Sequence, residues 1–307
     1  MMSTPHDLIV PKLATVLLVF TIGCGDSPPS VTEQTPTPPQ GLVAGEHVWT
    51  TPDGIDMPYE VAGNIDAEVT VVFVHCWMCD RSFWDAQLPV LAERYRTVTL
   101  DLPGHGEAGS DRDEWTVGAY GDDVAGLVKS LDLSRVVLVG HSMGGPVSLR
   151  AAALLSGRVL GIVAVDTLHD AEFKFDDERV EAFLQAFEED FVGTCEGFVD
   201  QMFPEDGADE VVARVRRRSC DANRGDVGTA LMRDYAAIDF LQWFREAGVP
   251  IRAINAAAPN QTKVEINRKY ADFDAVLMEG VGHYPHMTQP EEFNELMLEA
   301  IADLVGS

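Results

Sequence analysis

The strongest constraint on the fold of this 307-residue chain is a regular alternation of apolar, β-branched runs with stretches of helical spacing. Runs such as VTVVFVH, RVVLVG and VLGIVAVD are nearly continuous in apolar residues, which is typical of strands buried on both faces. Between them, SFWDAQLPVLAERY, TVGAYGDDVAGLVKSLDL and GGPVSLRAAALLS show helical spacing, while EHVWTT and DMPYEVAG predict two earlier strands. This order predicts βαβ units, and therefore an α/β fold with a parallel sheet and helices on both faces.

The stretch GHSMGG, residues 140–145, lies where one of these strands gives way to a helix. Glycines on both sides of Ser142 predict a sharp turn that holds its hydroxyl above the sheet, beside free N–H groups at the helix start. No Lys-Ser/Thr pair follows the glycines, and the G-x-G-x-x-G spacing is absent, which argues against phosphate and dinucleotide loops. The turn therefore indicates a nucleophilic serine.

Four segments, FVHCWMCDRSFW, DLPGHG, GHSMGG and GVGHYPHMTQPEEF, resemble the α/β-hydrolase fold in their order and spacing, over about residues 45–305. The resemblance implies a mostly parallel eight-stranded sheet and an inserted helical cap. The expected domains are a core of residues 42–167 and 248–307 with a cap of residues 168–247. It also implies a Ser–His–acid catalytic triad that needs no cofactor and no metal ion.

His283 is the expected base. It precedes TQPEEF, in which Pro290 marks a helix start, and the resemblance implies a catalytic histidine in this loop. His286 is the alternative. The acid is harder to place, because GVPIRAINAAAPNQT, where many relatives carry it, has no carboxylate. Asp166, at the end of the buried run VLGIVAVD, is the expected acid, since an unpaired buried carboxylate is costly.

Asp170 is the alternative acid, Asn255 is placed to bond the same network, and a triad lacking its acid is the other explanation. The resemblance implies that the backbone N–H groups of Trp77 and Met143 form the oxyanion hole. Relatives usually carry glycine where this chain has Cys76, so we expect a backbone conformation at Cys76 that glycine would adopt at lower cost.

The cap region is rich in Phe, Met and Trp, which suggests an apolar acyl or aromatic substrate portion. Its one basic cluster, RVRRRS, predicts either an anion site or a solvated helix face. Cys195 and Cys220 flank a helical stretch and could pair. Cys76 and Cys79 form a C-x-x-C, which suggests redox chemistry or half of a zinc site, but no second C-x-x-C supports a metal.

The N-terminal run LATVLLVFTI ends in GCG and resembles a bacterial lipoprotein signal lipidated at Cys24. Residues 1–23 would be the signal and 24–41 a Pro-rich tether, which predicts export to the cell envelope; an ordinary secretory signal is the alternative. A net charge of −28 argues against nucleic acid and anionic membrane surfaces as partners. Contact with a membrane is expected only through the lipid.

These patterns together predict a serine hydrolase that cleaves a small ester-like substrate through an acyl-enzyme. Thioesterase, lactonase, C–C-bond hydrolase and perhydrolase chemistry stay open as alternatives. A tethered binding module without turnover is the alternative from a different class. The oligomeric state is not predicted.

Overall fold

The computed structural model describes residues 42–204, 208–221 and 224–306. The described strands are β1 Gly45–Thr50, β2 Asp56–Gly63, β3 Thr70–Val74, β4 Arg96–Leu100, β5 Val136–His141, β6 Val159–Val165, β7 Ile251–Ala256 and β8 Phe273–Met278. The described helices are α1 Leu88–Leu91, α2 Val117–Ser130, α3 Gly144–Leu154, α4 Asp177–Glu189, α5 Phe191–Gln201, α6 Asp209–Ser219, α7 Gly225–Ala236, α8 Phe240–Ala247, α9 Val264–Asn267, α10 Pro285–Thr288 and α11 Pro290–Gly306.

The described strands form one eight-stranded sheet in the order β1-β2-β4-β3-β5-β6-β7-β8. The pairings of β2 with β1 and with β4 are antiparallel, and all other pairings are parallel. The predicted α/β class with a mostly parallel eight-stranded sheet is therefore confirmed. The carboxyl ends of β3, β5 and β6 lie side by side, so the loops that follow these strands meet at one edge of the sheet.

Alternate side chains of the central strands enter two separate apolar cores. Val72 and Val74 of β3 pack on one face, with residues of α2 and α3. Val71 and Phe73 pack on the other face, with residues of α11. All five residues of β3 are buried, which explains why the run is apolar throughout instead of alternating.

The segment SFWDAQLPVLAERY is not one helix, as its spacing predicted. It forms a 3₁₀ turn at Arg81–Trp84 and the four-residue helix α1. Pro89 lies in the first turn of α1, where its missing N–H is tolerated, whereas a longer helix would place the proline in its interior. The break lets Trp84 and Leu91 enter the same core.

Helices α4–α8 lie between β6 and β7 and are called here the helical insertion, residues 177–247. Asp176, Asp190 and Asp239 cap three of these helices by accepting hydrogen bonds from backbone N–H groups of the first turn. A disulfide joins Cys195 of α5 to Cys220, which follows α6. No helix in the described ranges is both long and apolar enough to cross a membrane.

Candidate active site

Ser142 occupies the turn between β5 and α3, and its backbone is left-handed, with φ of 51°. Such a conformation costs a non-glycine residue on the order of 1–3 kcal/mol. Three hydrogen bonds hold it: the Ser142 N–H donates to the carbonyl of Val165 at 3.0 Å, and the Ser142 carbonyl accepts from Gly145 N–H at 2.9 Å and from Thr167 Oγ1 at 2.8 Å. The strained turn is thus fixed by the neighbouring strand.

The glycines of GHSMGG are required by close packing. A Cβ on Gly140 would lie 2.3 Å from the carbonyl oxygen of Gly144. One on Gly144 would lie 2.3 Å from the carbonyl oxygen of Val74, and one on Gly145 would lie 2.4 Å from Thr167 Cγ2. Helix α3 can therefore start directly behind the turn only because these side chains are absent.

Asp166 and His283 form the central contact of the site. Asp166 Oδ2 lies 2.5 Å from His283 Nδ1, and Asp166 Oδ1 accepts a hydrogen bond from Ala256 N–H at 2.8 Å. Burial acts to raise the pKa of the Asp166 carboxyl, but the bond and charge of His283, the nearby His169 and the Ala256 amide together lower it. Asp166 is therefore an ionised acceptor at neutral pH, and it fixes the orientation of the imidazole.

Asn255 supports the loop that carries Asp166. Its Oδ1 accepts from Thr167 N–H at 3.1 Å, and its Nδ2 donates to the Thr167 carbonyl at 3.1 Å and to Thr262 Oγ1 at 2.9 Å. The amide is fully buried and bonds to the residue next to Asp166. Asn255 acts on the acid through the backbone, because no direct bond joins the two side chains within the described residues.

The two alternative residues are engaged elsewhere. The Asp170 carboxylate pairs with Lys263 Nζ at 2.8 Å and has no contact with His283. The His286 ring is fully buried 4.6 Å from the Trp84 ring, and its two nitrogens have no hydrogen-bond partner among the described residues. Burial first, with the nearby His283 and Arg214, lowers the pKa of His286 to about 3, so the ring is neutral.

The backbone N–H groups of Trp77 and Met143 donate to no described residue. Both residues line the cavity that also contains Ser142 and His283. The left-handed residue in the loop after β3 is Met78, with φ of 54°, and not Cys76, which corrects the expectation from the sequence. The positive φ therefore lies two residues after Cys76.

A cavity of about 770 Å³ opens beside Ser142, and a second cavity of about 410 Å³ adjoins it. Ser142, Asp166 and His283 line both. The larger cavity is walled mainly by side chains of the helical insertion and its flanks, including Phe175, Phe183, Phe198, Leu231, Met232 and Tyr235. Sequence analysis missed most of these walls, because amphipathic helices do not show which apolar residue faces a cavity.

The hydroxyl of Ser142 forms no hydrogen bond within the part of the chain that the structure describes, His283 included. The Nε2 atom of His283 is likewise unbonded there, while its Nδ1 is held by Asp166. The His283 carbonyl accepts a hydrogen bond from His141 Nε2 at 2.7 Å, and its N–H donates to the Met202 carbonyl at 2.7 Å. The loop that carries His283 is therefore anchored both to the core and to the chain just after α5.

The basic cluster of residues 214–219 forms ion pairs on the surface of α6. Arg214 pairs with Asp85, Arg216 with Asp200 and Arg218 with Asp80. Of the two alternatives predicted for the cluster, an anion site or a solvated helix face, these ion pairs support the solvated helix face. None of these arginines lines either cavity.

The described cysteines form two disulfides, Cys76–Cys79 and Cys195–Cys220. The C-x-x-C is therefore not half of a zinc site in this structure. No group of three or more His, Cys, Asp or Glu side chains in residues 42–204, 208–221 and 224–306 is arranged to hold a metal ion. The predicted signal, tether and lipidated Cys24 lie outside the described residues.

Comparison with known proteins identifies the class to which this fold and site belong. The sequence profile of the Alpha/beta hydrolase family matches residues 71–296, and the chain belongs to that family. It is 26% identical over 257 residues to a 2-(acetamidomethylene)succinate hydrolase of Mesorhizobium japonicum, covering 77% of this chain and 88% of the relative. A non-heme chloroperoxidase of Streptomyces lividans is 34% identical over 142 residues, 46% of this chain and 51% of the relative.

Among solved structures, a thermophilic esterase from Thermogutta terrifontis, with malate bound, superposes with a TM-score of 0.72. It is 24% identical in sequence, and the match covers 85% of this chain and 99% of the esterase. At this identity the likeness concerns the fold. The chain is thus a hydrolase of the α/β fold.

Proposed function

We propose that the protein is a serine hydrolase that cleaves a carboxylic ester through an acyl-enzyme, with Ser142 as nucleophile, His283 as base and Asp166 as acid. The observation that carries the proposal is the 2.5 Å contact between Asp166 and His283, at a cavity that also contains Ser142. Ionised Asp166 holds the proton on His283 Nδ1, so that Nε2 is the free acceptor.

In the proposed reaction, His283 Nε2 removes the proton of Ser142 as the hydroxyl oxygen attacks the ester carbonyl. The unpaired N–H groups of Trp77 and Met143 stabilise the tetrahedral oxyanion. His283 then gives the proton to the leaving alcohol, and an acyl-serine remains. Water, deprotonated by His283, attacks the acyl-serine; the bond between the acyl carbon and Ser142 Oγ breaks, His283 returns the proton to Oγ, and the acid is released. In the proposed mechanism, the hydrogen bond between Ser142 and His283 forms when substrate binds. Catalytic hydrogen bonds are commonly long or absent in the free enzyme and tighten in the substrate complex.

The two adjoining cavities support a substrate with a substituent on each side of the reacting carbonyl. The larger one has apolar walls and accommodates an aliphatic or aromatic part. We propose that the helical insertion acts as the cap that excludes water from this site, with core residues 42–167 and 248–307 on either side of it in sequence. The same serine chemistry also allows hydrolysis of thioesters, of lactones or of C–C bonds, and formation of peracids. These are the alternative reactions.

Fluorophosphonate labelling of the purified protein tests the proposal. We expect stoichiometric labelling, mapped to Ser142 by peptide mass, and its abolition in Ser142→Ala. The surface variant Ser156→Ala is the matched control and is expected to label as the wild type does. A folded wild-type protein that does not label at Ser142 would instead support the tethered binding module.

A second candidate function, hydrolysis of a substrate that carries a carboxylate, rests on the charges around the larger cavity. Lys174 and Arg179 line it, and neither forms an ion pair within the described residues. Asp176 also lines it, but its carboxylate caps α4. In addition, the Mesorhizobium relative is named for the hydrolysis of a succinate derivative.

The KM values of Lys174→Ala/Arg179→Ala test this second candidate. We expect KM for 4-nitrophenyl hydrogen succinate to rise roughly tenfold, the effect of lost charge-assisted bonds, while KM for neutral 4-nitrophenyl butyrate changes little. The variant Arg94→Ala/Lys129→Ala makes the same change in net charge away from the cavity and serves as control. Equal rises for both esters would contradict an anion subsite.

We also propose that the chain is exported and anchored by a lipid on Cys24, with secretion in free form as the alternative. Support comes from the sequence around Cys24 and from the two disulfides, which are typical of oxidising compartments. Expressed at full length in a bacterial host, the protein should partition into Triton X-114, and Cys24→Ser should stay in the aqueous phase. Wild-type protein in the aqueous phase would argue against the anchor.

A further inference from the structure

The Cys76–Cys79 disulfide closes the turn that carries one of the two unpaired N–H groups at the site. The turn follows β3 and contains Trp77 and Met78 between the two cysteines. Cys79 N–H donates to the Cys76 carbonyl at 3.2 Å, so a hydrogen bond and a disulfide close the same four residues. The whole turn is buried, and Cys76 lines the cavity next to Ser142.

This turn has a conformation that its sequence does not favour. Met78 is left-handed at φ 54°, at a position where turns usually carry glycine or asparagine. Without a cross-link, a methionine there would favour other backbone angles, and the Trp77 peptide plane would rotate with them. The disulfide closes the turn covalently in addition to the hydrogen bond between Cys79 and Cys76, and it therefore removes freedom at the residue whose N–H must point into the cavity.

Two further contacts fix the ends of the turn. His75 Nε2 accepts a hydrogen bond from Leu102 N–H at 3.0 Å, so the proton of this ring lies on Nδ1, which donates to the Cys76 carbonyl at 2.8 Å. On the other side, the Trp77 indole donates to the Gly228 carbonyl of α7 at 2.8 Å. The Trp77 N–H belongs to the same peptide group as the Cys76 carbonyl, which accepts hydrogen bonds from His75 and Cys79, and the disulfide is the covalent link between the two ends of this turn.

We infer that the Cys76–Cys79 disulfide is a positioning element of the oxyanion hole, and that turnover depends on its oxidised state. This inference rests on the proposed function, because it assigns the Trp77 N–H to the oxyanion. Reduction converts the disulfide into two thiols and leaves the ester pocket in place. The Trp77 N–H is then no longer held toward the tetrahedral intermediate, so stabilisation of the transition state is lost while ground-state binding is retained.

The test uses Cys195→Ser/Cys220→Ser, a variant in which Cys76–Cys79 is the sole disulfide of the described residues. Neither of the substituted cysteines lines a cavity. Tris(2-carboxyethyl)phosphine reduces the bond: the phosphine gives two electrons and takes oxygen from water as phosphine oxide, and each sulfur gains a proton. Alkylation and peptide mass then report the state of Cys76 and Cys79.

We expect kcat for 4-nitrophenyl butyrate to fall by roughly 10²-fold on reduction, the effect of losing one oxyanion donor, with KM changed less than about threefold. The inhibition constant of phenylboronic acid, which mimics the oxyanion, should rise with the fall in kcat. Binding of the product butyrate should stay constant. Reoxidation should restore kcat, which a general loss of structure would not allow.

Unchanged kcat and unchanged boronate affinity in fully reduced protein would overturn the inference. The proposed function has its own readout, since labelling of Ser142 in the oxidised protein does not depend on the reduction step. If Cys195→Ser/Cys220→Ser fails to fold, the test uses Cys79→Ser in the otherwise native chain instead. Its kcat and boronate affinity are then compared with those of the wild type, with the thermal unfolding midpoint as control for folding.

Discussion

The loops at the carboxyl edge of the sheet and the helical insertion that faces them are built in opposite ways. Five described non-glycine residues have positive φ, and four of them, Met78, Ser142, Asp166 and Leu168, belong to the loops after β3, β5 and β6. No described residue of the insertion is in this region of backbone angles. Backbone strain is thus concentrated in these loops, and the fifth residue, Asp132, lies in the connection between α2 and β5.

The insertion consists instead of ordinary amphipathic helices that pack through aromatic rings. The Phe183 ring lies 4.9 Å from that of Phe187 and 5.2 Å from that of Phe198, and Phe187 also packs against Trp77. These contacts are apolar and depend little on exact angles. For the proposed hydrolase, we infer from this comparison that the core edge sets the rate of the chemistry and that the insertion sets which substrates the site accepts.

The largest effect that would test this division is expected from Asp166→Asn. Loss of the ionised acceptor leaves the wrong imidazole tautomer, and kcat should fall by roughly 10⁴-fold with folding preserved. Asp170→Asn, four residues along, is the matched control and should change kcat less than about twofold. Steady-state kinetics of both variants make the measurement, and a similar loss in both would remove Asp166 from its role.

The two disulfides make the second test, because they close loops of very different length. Cys195 and Cys220 are 25 positions apart, whereas Cys76 and Cys79 are three apart. From loop entropy, the Cys195–Cys220 disulfide stabilises the folded protein by about 3.5 kcal/mol and the Cys76–Cys79 disulfide by about 2 kcal/mol. Removal of the Cys195–Cys220 disulfide should therefore lower the thermal unfolding midpoint by roughly 7–14 °C, which is more than removal of the Cys76–Cys79 disulfide.

Calorimetry of Cys195→Ser/Cys220→Ser and of Cys76→Ser/Cys79→Ser measures these shifts. Activity should follow the reverse order, with the smaller loss of stability accompanied by the larger loss of kcat. If stability and kcat fell in parallel in the two variants, the division between core edge and insertion would not hold.

The smallest expected effect concerns His286, which lies beside the catalytic loop without belonging to it. Its pKa is about 3 in the folded protein and about 6.5 in an unfolded chain, so below pH 6.5 the unfolded chain takes up a proton that the folded protein does not. The histidine thus destabilises the protein as pH falls, by about 2 kcal/mol at pH 5. His286→Phe should remove this loss and keep Ser142 labelling.

Urea unfolding at pH 7 and pH 5 measures the difference between wild type and His286→Phe. The buried rings of His75, His105 and His141 also have lowered pKa values, chiefly from burial, so the slope should decrease and not vanish. An unchanged slope would mean that His286 takes up a proton while folded. Loss of Ser142 labelling would place it in the catalytic machinery.

Local sequence signals explain how much could be predicted. Strands such as β3 and β5 are recognisable because a strand buried on both faces must be apolar throughout. Ser142, Asp166 and His283 could be proposed because each lies beside a strand end or helix start whose glycine, aspartate or proline signals are local. The structure brings the three to one cavity, at the edge where those strand ends meet.

What could not be predicted depends on contacts between distant parts of the chain. The hydrogen bond from the Trp77 indole to the Gly228 carbonyl spans 151 positions, and that between His141 Nε2 and the His283 carbonyl spans 142. Met78 has a positive φ within the turn that the Cys76–Cys79 disulfide closes. Methionine is not a residue type that indicates such a conformation in a sequence. Helix α1 is shorter than its helical spacing predicts, because Pro89 is tolerated in the first turn of a helix and not in its interior.

The hydrogen bond between the Trp77 indole and the Gly228 carbonyl has a mechanical consequence. Trp77 belongs to the turn beside Ser142, and Gly228 belongs to α7, so this bond joins the edge of the sheet that carries Ser142 to the helical insertion. Any movement of α7 away from the sheet must either break this bond or pull the turn with it. In the proposed reaction, a movement of α7 that opens the site for product release would therefore also displace the Trp77 N–H, so opening of the site and loss of the proposed oxyanion donor are linked.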